Sequence, residues 1–268
     1  MELSDAQVAA LLRTAHRLAD AAREPTLRHF RNTELAVDNK VDGGFDPVTE
    51  ADRAAERAMR AVLAEERPED GILGEEFENF EGTSGLTWVL DPIDGTRGYI
   101  SGTPTWGVLV AACDDTGPRL GIIDQPFTGE RFIGAPGTAK LRHVSGDRQL
   151  KARSTEDLAA ATLFSTFPEV GTDAERAGFR NVADKVALTR YGTDCYAYAL
   201  LALGQIDLVI EAGLHPYDIC APIAVIEAAG GVVTNWTGGP VHEGGRALAA
   251  ANPVLHAKAL ALLAPFAD

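Results

Sequence analysis

Trp88-Val89-Leu90-Asp91-Pro92-Ile93-Asp94-Gly95-Thr96 is the stretch on which the reading of this chain turns. An apolar run of strand character delivers Asp91, and proline follows at the position a type I turn prefers. A four-residue turn brings its ends to within about 7 Å, so Asp91 and Asp94 converge. Two carboxylates held that close repel each other unless a cation lies between them. Gly95 permits close backbone approach, and the N–H groups of Gly95 and Thr96 can open a helix towards an anion. A solvated Asp-Pro turn at a strand end is the alternative reading of the same residues.

Two further segments repeat the theme. Gly74-Glu75-Glu76 loads another strand tip with carboxylate, where the plain alternative is a solvated acidic loop. Pro216-Tyr217-Asp218-Ile219-Cys220-Ala221-Pro222 opens a strongly apolar helix that stops at Gly230-Gly231. Starting that helix at Asp218 puts Pro222 in its first turn, where a missing N–H is tolerated. Asp218 then reads either as the helix N-cap or as a metal ligand. Carboxylates and a main-chain carbonyl, with no nitrogen or sulfur donor, suit a hard cation such as Mg²⁺.

Composition narrows the classes. The 268 residues carry 24 Lys and Arg against 39 Asp and Glu, a formal charge of −15. Such a surface argues against nucleic acid as a partner, which needs a basic footprint. An acidic chain acting on a phosphate ester would need bound cations. Cys113, Cys195 and Cys220 are odd in number and lack a CxxC pattern, the usage of a reducing compartment. The first residues lack a basic region followed by an apolar one, and no apolar run is long enough to span a bilayer. These features together predict a cytoplasmic protein with no membrane partner.

Along the chain, Ser4 and Gln7 form a capping box ahead of a long amphipathic helix bearing Val8, Leu11, Leu12, Ala15, Leu18 and Ala22. A short strand is expected over Glu34 to Lys40, then a turn-rich stretch from Asp42 to Pro47, then a helix capped by Thr49. Short buried strands are expected at Ile72-Leu73 and Thr87 to Leu90. A meander follows through Trp106 to Cys113, Gly121 to Asp124 and Arg131 to Ile133. Residues from about 135 to 155 are polar and expected to be irregular. The expected division into an N-terminal α+β subdomain, 1–140, and a C-terminal α/β subdomain, 141–268, falls there.

The second half alternates strands (Leu163 to Phe167, Leu188 to Tyr191, Leu208 to Glu211, Val232 to Thr234, Leu248 to Ala251) with helices (Asp173 to Val186, Asp194 to Leu203, Asp218 to Ala229, Pro253 to Leu263). This mixture predicts layered α and β structure rather than a barrel.

Several chemistries are disfavoured. The six histidines show no HxH or HExxH spacing, and neither GxSxG nor a Walker A pattern occurs. Cys113-Asp-Asp-Thr-Gly-Pro-Arg119 has the C-x5-R spacing of cysteine phosphatases. Its two aspartates would repel a phosphate dianion and Pro118 removes a donor, so it reads as a polar turn between strands.

The combination Asp91-Pro-Ile-Asp-Gly-Thr96, Gly74-Glu75-Glu76, Asp46-Pro-Val-Thr-Glu-Ala-Asp52 and Tyr217-Asp-Ile-Cys-Ala-Pro through Gly231 resembles the signatures of the inositol monophosphatase family. These are Mg²⁺-dependent phosphomonoesterases. The resemblance implies a layered α/β/α/β/α sandwich and a homodimer. It also implies that Glu75, Asp91 and the Ile93 carbonyl hold one Mg²⁺, that Asp91, Asp94 and Asp218 hold a second, and that Glu75 helps bind a third. Asp46, paired with Thr96, would position and deprotonate the attacking water, with Glu75 completing the catalytic set. Gly95 and Thr96 would contact the phosphate.

Asp94-Gly-Thr-Arg-Gly-Tyr-Ile-Ser-Gly-Thr-Pro-Thr-Trp106 and Tyr191-Gly-Thr-Asp-Cys-Tyr-Ala-Tyr198 look most similar to the histidinol-phosphate phosphatase branch. That likeness implies substrate contacts from Arg190, Thr193, Asp194 and Glu211. Acidic groups at 194 and 211 would favour a cationic alcohol such as histidinol over neutral inositol. Asp194 reads equally as the N-cap of the helix that follows. The expected reaction is hydrolysis of L-histidinol phosphate. The alternatives are an inositol-1-phosphate or broad sugar phosphatase, and a catalytically silent metal-binding module.

Overall fold

The computed structural model of the chain describes residues 3–32, 37–39 and 47–267. Helix α1 (Asp5–His29) starts at the Ser4 capping box read from the sequence. Strands β1 (Val37–Asn39) and β2 (Pro47–Thr49) pair antiparallel and lead straight into α2 (Glu50–Glu66), capped by Thr49. The remainder of the strand expected over Glu34 to Lys40, and the turn from Asp42 to Asp46, lie outside the described residues.

A seven-stranded sheet follows: β3 (Gly71–Gly74), β4 (Thr87–Asp94), then, after the short helix α3 (Thr96–Ile100), β5 (Gly107–Asp114), β6 (Gly117–Gln125), β7 (Glu130–Ala135), β8 (Thr138–Arg142) and β9 (Arg148–Gln149), in spatial order β3 to β9. β3 and β4 run parallel and every later neighbour is antiparallel. Strands β8 and β9 correct the expectation of irregular chain over 135–155. Ala139 and Leu141 point into the core while Thr138, Lys140 and Arg142 do not, the alternation of a strand whose polar half obscures its character.

The second sheet takes β10 (Thr162–Ser165), α4 (Asp173–Ala183), β11 (Leu188–Tyr191), α5 (Cys195–Ala202), β12 (Leu208–Leu214), α6 (Pro216–Ala228), β13 (Val232–Thr234), β14 (Gly245–Ala250) and α7 (Pro253–Leu263). Its strand order is β11-β10-β12-β14-β13. Three apolar clusters define five layers. One joins α1 and α2 to the outer face of the seven-stranded sheet. The second fills the space between the sheets, around α5 and α6. The third joins the five-stranded sheet to α4 and α7. The expected α/β/α/β/α sandwich is therefore what the chain forms. Among the described residues, no helix is long and apolar enough to cross a membrane.

Helix α6 is apolar on all sides because it is covered by both sheets. Its seat is a glycine. A Cβ on Gly121 of β6 would fall 2.5 Å from the Ala221 carbonyl oxygen, so only glycine lets the helix backbone lie this close to the sheet. The helix starts at Pro216 rather than at Asp218, which makes Pro222 an interior residue and not a first-turn one. Proline has no N–H to offer the carbonyl four residues back, that of Asp218.

Candidate metal and phosphate site

Asp91 and Asp94 come from one strand end, but simple alternation would send residues three apart to opposite faces. The register shift in β4 between them turns both to the same side. The Ile93 N–H donates to Asp91 Oδ1 at 3.0 Å, closing the local turn. In the parallel register Gly74 lies opposite Leu90, so the next residue, Glu75, falls beside Asp91. The loop that carries Glu75 is pinned from α2: the Glu76 N–H donates to Glu56 Oε2 at 2.7 Å, and Glu56, fully buried, is paired with Arg60 at 2.7 Å.

Asp218 arrives from α6. It is the third helical residue, and its Oδ2 accepts the His215 N–H at 2.6 Å, so the N-cap is His215 and not Asp218. Asp94 Oδ2 accepts the Cys195 N–H at the start of α5, also at 2.6 Å. Asp91, Asp94 and Asp218 each offer an oxygen within 4.8 Å of the others.

Like charges crowd the cluster. Burial holds the Asp91 carboxyl well above the usual carboxylate range, and the charges of Glu75, Asp94 and Asp218 push it further. Asp94 is raised by burial and by Asp194 and Asp218. An all-oxygen donor set under this strain fits a hard divalent cation. The Ile93 carbonyl borders the cluster and accepts the Thr96 hydroxyl at 3.1 Å, with a second lone pair left over.

Thr96 begins α3 after Gly95, whose φ of +84° suits glycine. Its hydroxyl also approaches Asp52 Oδ1 at 3.4 Å. Asp52 is buried at the start of α2, where its Oδ2 accepts the Thr49 N–H at 2.8 Å and the Thr49 hydroxyl at 2.5 Å. Burial pushes its carboxyl up to about 6. The sequence reading gave Asp52 no role, although Thr49-x-x-Asp52 has the capping-box spacing that places it here. Asp46, the expected partner of Thr96, lies outside the described residues.

Asp94, Thr96, Arg97, Asp194, Glu211 and Asp218 face a cavity of about 260 Å³, together with Gly95 and the Ser165-to-Phe167 segment. Asp194 occupies the N-cap position of α5 at φ +44°, yet its side chain makes no capping hydrogen bond. The carboxylate instead lies against Gly95, where an added Cβ would meet it at 2.9 Å. The alternative reading of Asp194 as a side-chain cap is thus set aside, since the Asp94 carboxylate fills that place. Burial pushes Asp194 up to about 6, opposed by the Arg97 guanidinium, which itself rests over the Phe167 ring at 4.8 Å.

Glu211 is fixed by Thr166, whose N–H and hydroxyl donate to Oε1 at 2.9 and 2.7 Å, and burial pushes it up to about 8. Thr193 is near the cavity in sequence, but it does not line it, and its hydroxyl is buried without a partner among the described residues. Arg190 is not brought to the cavity. It sits exposed on β11, the edge strand, opposite Phe164.

Cys113 lies at the end of β5 with its thiol raised by contact with Cys220 and by burial. The following residues form a turn in which Asp114 accepts the Thr116 N–H at 2.9 Å. This is the polar turn expected from the sequence, and not a nucleophile loop.

The raised carboxyls carry a pH signature. Each binds a proton in the folded chain that the unfolded chain has released above about pH 4. Their contribution is therefore complete below that pH and is lost as pH rises through the folded values of about 6 for Asp52 and Asp194 and about 8 for Glu211. Melting in a chelator should show a falling transition temperature between about pH 5 and pH 8, and the gain on adding Mg²⁺ should grow over the same interval. A flat profile in chelator would contradict this electrostatic picture.

Comparison with known proteins follows the same lines. The inositol monophosphatase family model matches residues 7–265. A chloroplastic bifunctional phosphatase of Arabidopsis thaliana is 42% identical over 239 residues, covering 88% of this chain and 67% of its own length. The histidinol-phosphatase of Mycobacterium tuberculosis is 36% identical over 249 residues, 92% of this chain and 95% of that protein. Among solved structures, an inositol monophosphatase from Zymomonas mobilis matches with a TM-score of 0.84 at 39% identity, covering 97% of this chain and 99% of that one.

Proposed function

The chain belongs to the inositol monophosphatase family and is a phosphoric monoester hydrolase, and from that premise we propose that it cleaves L-histidinol phosphate to L-histidinol and phosphate. The observation that carries this reading is the cavity's acidic lining: the carboxyl groups of Asp94, Asp194, Glu211 and Asp218 face it with one guanidinium, that of Arg97, and a cation entering it favours their ionised forms. Asp94 and Asp218 belong to the cation cluster. Asp194 and Glu211 are left to meet the alcohol part of the ester. An ammonium or imidazolium there gains charge-assisted hydrogen bonds that a neutral polyol cannot match, about 1.5–3 kcal/mol for each charged bond.

Glu75, Asp91, Asp94, Asp218 and the Ile93 carbonyl would hold two or three Mg²⁺. When bound, these ions supply an acidified water and neutralise charge on the phosphoryl oxygens. Gly95 and Thr96 offer backbone N–H groups to the phosphate. The Thr96 hydroxyl, held between Asp52 and the Ile93 carbonyl, orients the attacking water, and Asp46 takes its proton. In the same proposal the protein works as a cytoplasmic homodimer with neither nucleic acid nor membrane as a partner.

Removing the Thr96 hydroxyl should lower kcat by about a hundredfold, the scale of lost acid–base assistance, with KM changed far less. An unchanged kcat in Thr96→Ala would remove it from water activation.

Inositol 1-phosphate is the second reading, favoured by the likeness to the Zymomonas mobilis enzyme. Side-by-side kcat/KM values for L-histidinol phosphate, inositol 1-phosphate and fructose 1,6-bisphosphate with Mg²⁺ test both. A clear preference for the first supports the proposal, and a preference for either other ester overturns it. Absence of turnover on all three would point to a silent metal-binding module.

A further inference from the structure

The cavity is not polar throughout. One end, with Asp94, Thr96 and Asp218, belongs to the cation cluster, while Phe167, Val170, Ala212 and Leu214 contribute hydrocarbon to the rest of the wall. Phe167 is 41% exposed, whereas Val170 is 5%. An aromatic side chain left that open gains free energy from any apolar surface that covers it. Its place is fixed from the residue before it: the Thr166 N–H and hydroxyl both donate to Glu211 Oε1, and the Thr166 carbonyl accepts the Gly192 N–H at 3.1 Å. Pro168 restricts the backbone of Phe167 itself.

The ring face already receives a flat cation, the Arg97 guanidinium at 4.8 Å. At the other end of the same arginine, the Asp194 carboxylate lies against the backbone of α3. Cβ atoms added at Gly95 and Gly98 would stand 2.9 and 3.5 Å from its Oδ2. The aromatic face and the carboxylate are thus separated by about one side chain's length. Histidinol matches that pair, with an imidazole for the face and an ammonium for the carboxyl groups. Inositol does not, because hydroxyls set against hydrocarbon lose their bonds to water without replacement.

We propose that Phe167 is a specificity-determining residue: its ring face receives the flat heteroaromatic ring of the substrate's alcohol part, which stacks where the Arg97 guanidinium rests, while the ammonium group reaches Asp194 and Glu211. Arg97 follows Thr96 directly, so the arriving phosphate gives the displaced guanidinium a stronger partner than the ring. The proposal rests on the reading of the substrate as L-histidinol phosphate.

The test measures kcat and KM for L-histidinol phosphate and inositol 1-phosphate, with melting temperatures, for the wild type, Phe167→Leu and Phe167→Tyr. Leucine keeps an apolar side chain and removes the aromatic face, which tyrosine restores. Phe167→Leu should raise KM for histidinol phosphate about fivefold to tenfold, the scale of a flat cation on a half-open ring, and affect inositol 1-phosphate several times less. Phe167→Tyr should return KM to within about twofold of the wild type, and the melting temperatures should stay close together. Three results would overturn the proposal: an unchanged KM in Phe167→Leu, equal losses on both esters, or no recovery in Phe167→Tyr. Equal losses would make the ring a support for Arg97 and nothing more. If the wild type itself shows no preference for histidinol phosphate, the substrate reading fails and the role of Phe167 falls with it. A wild-type preference that Phe167→Leu leaves intact overturns the role of Phe167 alone.

Discussion

Asparagine at Asp91 should abolish turnover while making the metal-free protein more stable. Asp91 is 2% exposed, has oxygens of Asp94 and Asp218 within 4.8 Å, and feels the charge of Glu75 as well. It is the residue that the first two proposed cation positions share, so its loss weakens both of those ions at once. A fall in kcat of at least about a thousandfold is expected, the scale of lost electrostatic stabilisation at a reacting phosphoryl group. The same substitution removes a buried ionisable group whose charged form burial and the neighbouring carboxylates oppose. Each 1 kcal/mol so recovered should raise the transition temperature in chelator by about 2–4 °C. The pairing of opposite effects is what distinguishes a ligand from a folding residue. Near-normal turnover in Asp91→Asn would refute the shared-ligand assignment, and a drop in metal-free stability would refute the electrostatic argument.

Asp194→Asn should cost about tenfold to a hundredfold in kcat/KM for L-histidinol phosphate, the equivalent of one charged hydrogen bond, and much less for inositol 1-phosphate. Asparagine is preferred to alanine because the residue sits at φ +44°, a conformation that asparagine tolerates better. It is also as good an N-cap as aspartate. A role confined to helix α5 would therefore leave both substrates untouched or lower both equally. Loss on the cationic ester alone isolates the charge as the recognised feature.

Much of the site was legible before any coordinates, for local reasons. An Asp-Pro turn at a strand end announces itself, and the shared character of Glu75, Asp91 and Asp94 as carboxylates on strand tips made their convergence readable. The apolar course of α6 was readable, and its place between the two sheets accounts for it. What escaped the sequence depended on tertiary contact. The exchange of roles at the start of α5, where Asp94 rather than Asp194 accepts the Cys195 N–H, joins residues 101 positions apart. Asp218 reads as a cap by propensity, but the helix start two residues earlier moves it inside the first turn. Asp52 received no role from the sequence, because only the folded chain brings Thr96 to its other oxygen. Arg190 matched a family stretch by position, yet β11 is an edge strand and presents it to solvent. Strand β8 was missed because Lys140 and Arg142 mask the alternation of Ala139 and Leu141.

Crystals soaked in millimolar Mn²⁺, an anomalous scatterer standing in for Mg²⁺, give the most direct test. Anomalous density bonded to carboxylate oxygens of Asp91, Asp94 and Asp218 is the predicted result. A fully soaked crystal with no peak among these three side chains would contradict the account at its root.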